Sequence, residues 1–148
     1  MSPSPADQLD TEGAAARDGR ALWASDAAAQ HLGINLINVG PGRATVALTI
    51  TETMLNGLAM ANGGYVFLLA DTAFAIACNT RGHVAVARSC EIVFLRPAGG
   101  GEVLTATATE RARAGRSGIY DVTVRNDDDD VVAEMRGQSA AVRSREAE

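Results

Sequence analysis

The chain is expected to fold as one α+β domain in which a long antiparallel sheet curls around a single buried helix. Three observations predict this. First, residues 61–78, ANGGYVFLLADTAFAIAC, are apolar nearly all round and too long for an average strand. They read as a helix buried on most of its faces. Second, four long strand-like stretches follow one another along the chain after that helix. Third, short Gly- or Asp-rich links of the kind that make antiparallel hairpins join them. A sheet wrapped around one helix satisfies these patterns together.

The elements follow in order. Residues 1–19 are polar and rich in Ala, Pro, Ser and Asp, and read as a disordered tail. From about Ala21 to His31, ALWASDAAAQH favours helix, and Gly33 can supply its left-handed C-terminal cap. INLINV and RATVALTI flank Gly-Pro-Gly as a hairpin. Residues 52–62 lack clean periodicity and read as a loop. The buried helix spans about Gly63 to Asn79. A meander of about four strands comes next: HVAVARSCEIVFLR, EVLTATATERARA, GIYDVTVRN and VVAEMRGQSAAV. In the second, Thr105, Thr107 and Thr109 share one face. In the third, Tyr120, Val122 and Val124 alternate with Asp121, Thr123 and Arg125. The links are PAGGG, GRSG and NDDDD. The domain is therefore placed at 20–143, between tails 1–19 and 144–148, with five to six strands around one helix. This is the hotdog arrangement.

Composition excludes several chemistries. The 148 residues suffice for one domain with a core, and 47% are hydrophobic. A net charge of -5 argues against a nucleic-acid binder. All 13 basic residues are Arg, so neither a Schiff-base lysine nor a P-loop lysine exists. Two cysteines without a CxxC and two histidines, His31 and His83, make no closely spaced zinc cluster. The expectation is no metal, no organic cofactor and a reduced cytosolic setting. The N-terminus has no apolar signal core, and Asp71 interrupts the longest apolar run, so neither secretion nor a membrane is expected. Four adjacent aspartates, Asp127 to Asp130, lack the alternate ligand spacing of a calcium loop and read as a solvated turn. GPGRAT and GRSG match neither a phosphate loop nor a serine elbow, and Ser117 has no His and Asp pattern to activate it. Cys78 reads as a core residue.

Asp71 stands apart. A carboxylate among apolar residues is costly unless paired or hydrogen-bonded. Either it is held by a backbone group or an Arg, or it serves as a nucleophile or general base of tuned acidity. The Asn-Gly-Gly at 62–64 favours the second. Asn62 is a strong N-cap residue. Gly63 and Gly64 let a ligand approach the backbone. First-turn N–H groups are unpaired and lie at the positive end of the helix dipole. A carbonyl oxygen could accept from Gly63 N–H, as in an oxyanion hole. Yet Gly63 and Asp71 are eight positions apart, about 12 Å along a helix axis. Both groups must lie within about 3 Å of one reacting centre. One helix cannot do this alone, so a shared site demands a symmetric dimer.

Four stretches, MLNG at 54–57, NGG at 62–64, LADTAFAIACN at 69–79 and FLRP at 94–97, resemble the PaaI-type thioesterases of the hotdog superfamily. The similarity extends from about Leu22 to Val142. The resemblance implies hydrolysis of acyl-CoA thioesters, with phenylacetyl-CoA and its ring-hydroxylated forms as substrates. It implies Asp71 as general base or nucleophile, Gly63 as oxyanion donor and Asn56 as a positioning group. It also implies a dimer or dimer of dimers. The family usually carries His-Gly-Gly where this chain has Asn62-Gly63-Gly64; Asn62 is expected to support the catalytic site beside Asn56, although Asn cannot titrate near neutral pH. Phosphates of the CoA moiety call for Arg. Arg81, Arg88, Arg96, Arg113 and Arg116 are the candidates, with Arg88, Arg96 and Arg116 placed beside Gly64 in the substrate site. The alternatives are a medium-chain or other acyl-CoA thioesterase, and a non-catalytic acyl-CoA-binding protein.

Overall fold

The structure is a computed structural model that describes residues 5–145, with side chains from Thr11 onward. Six strands form one antiparallel sheet: β1 (Asn35–Gly40), β2 (Arg43–Thr49), β3 (His83–Phe94), β4 (Val103–Ala114), β5 (Ser117–Arg125) and β6 (Val131–Ser144). Their order is β1-β2-β4-β5-β6-β3. The long helix α3 (Gly63–Cys78) packs against all six strands. The expected architecture, one helix held against a long sheet, is present.

Alternation decides which strand residues meet the helix. On β4, Leu104, Ala106 and Ala108 are buried, while Thr107 and Thr109 face outward. On β5, Tyr120, Val122 and Val124 turn inward. From α3, Leu69, Ala70, Ala73, Phe74, Ile76 and Ala77 enter the same core. The Phe74 and Tyr120 rings lie with centroids 5.5 Å apart and planes tilted by 59°, a favourable aromatic arrangement. Gly137 of β6 lies under this pair. A Cβ there would come within 2.9 Å of two Phe74 ring atoms. The outer face is polar and paired within the sheet: Arg136 Nε donates to Asp121 Oδ1 at 2.7 Å, and Thr123 Oγ1 donates to Glu134 at 3.0 Å.

The ends of α3 are set by two asparagines. Asn62 has extended backbone (φ −61°, ψ 132°), and its Oδ1 accepts from Gly64 N–H at 2.9 Å. It is the N-cap expected from the sequence. At the other end Asn79 Nδ2 donates to the carbonyls of Ala75 (2.8 Å) and Ala85 (3.0 Å), and Asn79 Oδ1 accepts from Ala85 N–H. This amide ties the helix end to β3. Gly33 caps α2 in the left-handed region (φ 77°), as expected, and Gly42 turns the β1–β2 hairpin at φ 68°.

Three expectations are corrected. The tail placed at 1–19 is helical over the part described: α1 runs Pro5–Ser25, while residues 1–4 lie outside the described residues. Its Ala-rich sequence has high helix propensity. Ala15 is fully buried, and Gly19 meets the rest of the domain at close range, where a Cβ would lie 2.4 Å from Val39 Cγ2 and 3.2 Å from Ile76 Cγ2. Secondly, the single helix placed at Ala21–His31 is two helices. Asp26 breaks it and caps α2 (Ala27–Leu32), its Oδ1 accepting from Ala29 N–H at 3.0 Å; Asp favours this local bond over a helix interior. Thirdly, only β4, β5 and β6 form a meander. β3 pairs with β6 instead of β4. The Gly-rich link carries the chain to β2, where Gly101 N–H donates to Ile50 O (2.7 Å) and Ile50 N–H to Glu102 O (2.9 Å). At the C-terminus β6 ends at Ser144, and residues 146–148 of the expected tail lie outside the described residues. Among the described residues no helix is long and apolar enough to cross a membrane.

Candidate active site

Three segments meet at the start of α3: the loop over residues 55–61, the first turn of α3, and the chain leaving β3. Backbone bonds hold them together. Ala61 N–H donates to Ala98 O (2.7 Å), Asn62 N–H to Met54 O (2.8 Å), and Leu95 N–H to Val132 O (2.8 Å). The loop is closed by Asn56, whose Oδ1 accepts from Leu58 N–H (2.9 Å) and Met60 N–H (3.4 Å). This is an Asx turn, which asparagine makes readily.

Between these segments lies an apolar cavity of about 420 Å³, lined by Asn56, Gly63, Val66, Phe94, Arg96 and Val132 among others. The volume falls in the range of small-molecule sites, ~300–1,000 Å³. Two donors in its wall are unused. Gly63 N–H reaches no acceptor among the described residues, the condition expected of a first-turn amide. The Asn56 amide nitrogen likewise donates to nothing described, because only its oxygen is engaged. Gly64 differs: its N–H is taken by Asn62, and the residue is exposed. Asn62 is exposed too, with its oxygen committed to the cap.

Asp71 does not line this cavity. It is half-buried on the less buried stripe of α3, with Phe67 and Leu68 one turn before it. Among the described residues no hydrogen bond or ion pair reaches its carboxylate, so the paired alternative for this residue has no support. Burial raises its pKa above the ordinary carboxylate value of 3.8, and the negative charge of Asp26 adds to the effect. The charge of Asp71 in turn helps raise the thiol pKa of Cys90, for which burial is the larger cause. Burial pushes Cys78 to about 12, so it stays a protonated core thiol.

The arginines divide between two places. Arg96 borders the cavity and stands 3.9 Å from Asp130. Arg116 lies in the β4–β5 turn, in a small concavity shared with Cys78 at the far end of α3. Arg88 donates to Ser117 Oγ at 3.4 Å beside it. The structure thus brings Asn56, Gly63 and Arg96 together and leaves Arg88 and Arg116 at the other end of the domain. Arg81 and Arg113 are both paired with Glu110. The NDDDD stretch is a turn closed by Asn126, whose Oδ1 accepts from the N–H groups of Asp128 and Asp130, each at 3.0 Å. Among the described residues no three His, Cys, Asp or Glu side chains group as a metal site. The sequence left Phe94 and Val132 out of the site, and Asp26 out of the surroundings of Asp71. Only for Phe94 was there a signal, its place at the head of the FLRP stretch at 94–97 that carries part of the resemblance.

Comparison with known proteins identifies the family. The thioesterase superfamily model matches residues 58–133. The acyl-coenzyme A thioesterase PaaI of Escherichia coli (strain K12) is 46% identical over 123 residues, which span 83% of this chain and 88% of that protein. A solved structure of the E. coli PaaI protein from the phenylacetic acid degradation operon superposes with a TM-score of 0.89 at 42% identity, covering 91% of this chain and 98% of that one. A mutant of the phenylacetic acid degradation protein PaaI from Thermus thermophilus gives a TM-score of 0.76 at 36% identity, covering 79% and 100%. The cavity at the helix start lies within the matched region, apart from Asn56. The chain belongs to the thioesterase superfamily, as a PaaI-type thioester hydrolase with the hotdog fold.

Proposed function

We propose that this protein hydrolyses acyl-CoA thioesters in the cytosol, with phenylacetyl-CoA and its ring-hydroxylated forms as substrates, at sites shared between two subunits. One observation carries the proposal. Gly63 N–H and the Asn56 amide stand unpaired in one apolar cavity, while the unpaired, desolvated Asp71 lies outside it on the same helix. Eight positions separate Gly63 from Asp71, about 12 Å of helix. A second copy supplies the missing carboxylate. The exposed apolar residues of the β3 edge, Val86 and Val93, with Leu95 just beyond its end, give such a copy a surface to cover.

In the chemistry that follows, the thioester carbonyl oxygen accepts from Gly63 N–H. Asp71 of the other subunit takes a proton from water, and the water oxygen bonds to the carbonyl carbon. The negative charge that develops on the carbonyl oxygen is held by the N–H and the helix dipole. Collapse expels the CoA thiolate, which is protonated to the thiol, and leaves the carboxylic acid. A pKa raised by burial suits Asp71 to accept a proton near neutral pH. Direct attack by Asp71 on the carbonyl, which expels the CoA thiolate and leaves a mixed anhydride that water then hydrolyses, is the second route. Label found in Asp71 after a single turnover in ¹⁸O-water marks that route, because water has then opened the anhydride at the Asp71 carboxyl carbon. The Asn56 amide positions water or substrate, and Arg96 at the cavity border meets a CoA phosphate. The E. coli relative, an acyl-coenzyme A thioesterase from a phenylacetic acid degradation operon, supports the acyl-CoA and aryl assignments.

The test is thiol release over a panel of aryl and aliphatic CoA esters, wild type beside Asp71→Ala, with circular dichroism to confirm folding. Phenylacetyl-CoA is expected to be the better substrate and the variant to be inactive. Equal turnover of aryl and aliphatic esters would remove the aryl assignment. Undiminished turnover in Asp71→Ala would remove the carboxylate from the mechanism.

A further inference from the structure

We infer that Phe94 sets the preference of the site for aryl over alkyl acyl groups. The inference rests on the proposal that the Gly63 cavity receives the acyl part of the thioester. Phe94 ends β3, and the residue remains 52% exposed, a large share for a residue type usually buried. The distal end of its ring abuts the backbone of Gly63. A Cβ on that glycine would lie 3.1, 3.3 and 3.6 Å from three ring atoms. The ring therefore stands within van der Waals reach of the residue whose free N–H faces the incoming carbonyl.

The remaining wall is chemically different. Met60, Val66, Leu95, Pro97 and Val132 are all non-aromatic, and Phe94 is the one aromatic side chain among the described lining residues. A pantetheine arm, with its amides, would find few polar partners there, whereas an apolar acyl group finds a matching surface. With the carbonyl oxygen on Gly63 N–H, a phenyl ring one methylene beyond the carbonyl carbon comes alongside Phe94. The pair then has access to the tilted or offset arrangements favoured at centroid separations of ~4.5–7 Å. An alkyl chain of similar volume buries its area equally but forms no such pair. The cavity of about 420 Å³ admits either group, so volume alone does not choose between them.

The experiment compares wild type, Phe94→Leu and Phe94→Tyr. Phe94→Leu keeps an apolar side chain and removes the ring. Because the ring is half-exposed, little cavity is left behind, which thermal melting checks. Two ratios are read: kcat/KM for phenylacetyl-CoA over hexanoyl-CoA, and Kd for the non-hydrolysable phenethyl and hexyl CoA thioethers. In Phe94→Leu the preference for the aryl ligand is expected to fall about twofold to tenfold by both measures, the range of one aromatic pair, while Phe94→Tyr retains it. Equal losses on both ligands in Phe94→Leu would overturn the inference. If wild type released no thiol from any ester, hydrolysis would fall instead, and the thioether ratio would still decide the role of Phe94.

Discussion

Replacing Gly63 by proline deletes one hydrogen-bond donor and little else. Gly63 is the first residue of α3, and its N–H has no acceptor among the described residues. No intramolecular bond is therefore lost, and proline is well suited to a first helical position. The residue before a proline must be extended, and Asn62 already is, at φ −61° and ψ 132°. The cap from Asn62 runs to Gly64 N–H and is untouched. The added ring carbons do press on Phe94, since a Cβ at position 63 lies 3.1 Å from its ring. The partly exposed Phe94 side chain has room to move by a few tenths of an ångström. Gly63→Ala carries the same Cβ and keeps the N–H, so it is the reference. Relative to Gly63→Ala, Gly63→Pro is expected to lower kcat by about 10²–10³, the effect of removing one oxyanion-hole donor, with melting temperature and KM nearly unchanged. Mixing Gly63→Pro with Asp71→Ala subunits extends the test. After random exchange half the dimers are mixed, and one of the two sites in each is intact. Thiol release is expected to recover to about one quarter of wild type. If Gly63→Pro turned over substrate as fast as Gly63→Ala, the backbone donor assignment would be wrong. If mixed dimers seen by native mass spectrometry stayed inactive, the shared site would be wrong.

Two further outcomes concern stability. Asp71 has its folded pKa raised by burial and then by Asp26, above 3.8. Such a group stabilises the fold fully below its unfolded pKa and loses that contribution as pH rises through the folded value. Asp71→Asn is therefore expected to raise the melting temperature at pH 7–8 while abolishing turnover, with the gain shrinking towards pH 3–4; a gain independent of pH would assign it to packing instead. Gly137→Ala places a Cβ 2.9 Å from the buried Phe74 ring, which Tyr120 backs. It is expected to cost about 1–3 kcal/mol through overpacking, read from the urea midpoint, and an unchanged midpoint would mean that the ring re-seats freely.

Much of this arrangement was legible in the sequence, for identifiable reasons. All-round apolarity marked α3, and Asn62-Gly63-Gly64 marked its start. Alternation separated Tyr120, Val122 and Val124 from the outward residues. The elements that escaped depend on contacts distant in sequence. α1 is held where Gly19 meets Val39 and Ile76, a fit that no local pattern in a polar, Ala-rich segment announces. Asp26 lies 45 positions before the carboxylate it influences. β3 was expected to join a meander, but consecutive strands are only usually neighbours, and here β3 lies beside β6 at the sheet edge. That edge position leaves Phe94 half-exposed over Gly63. It also separates Arg88 from Arg96, eight residues apart on one strand and its exit, so that only Arg96 borders the cavity.

The presence of Asn62 where the resemblance implies a histidine makes a further difference measurable. Asn62 holds Gly64 N–H and leaves Gly63 N–H free, so the capping role needs no titratable group. His31 lies in the last turn of α2 and His83 at the start of β3, and neither lines the cavity. The charge that faces Asp71 from the α2 cap is Asp26. The nearby thiols, Cys78 on α3 and Cys90 on β3, are both shifted upward from 9.0. On the proposed mechanism, the group whose ionisation governs turnover between pH 4 and 8 is Asp71. A general base must be ionised to act, so kcat/KM is expected to rise along one acidic limb, with its midpoint above the ordinary carboxylate value, and to stay flat to pH 8. Asp26→Asn removes the like charge and is expected to move that limb to lower pH. A falling limb between pH 6 and 8 would require a second titrating group in the site, which Asn62 cannot be.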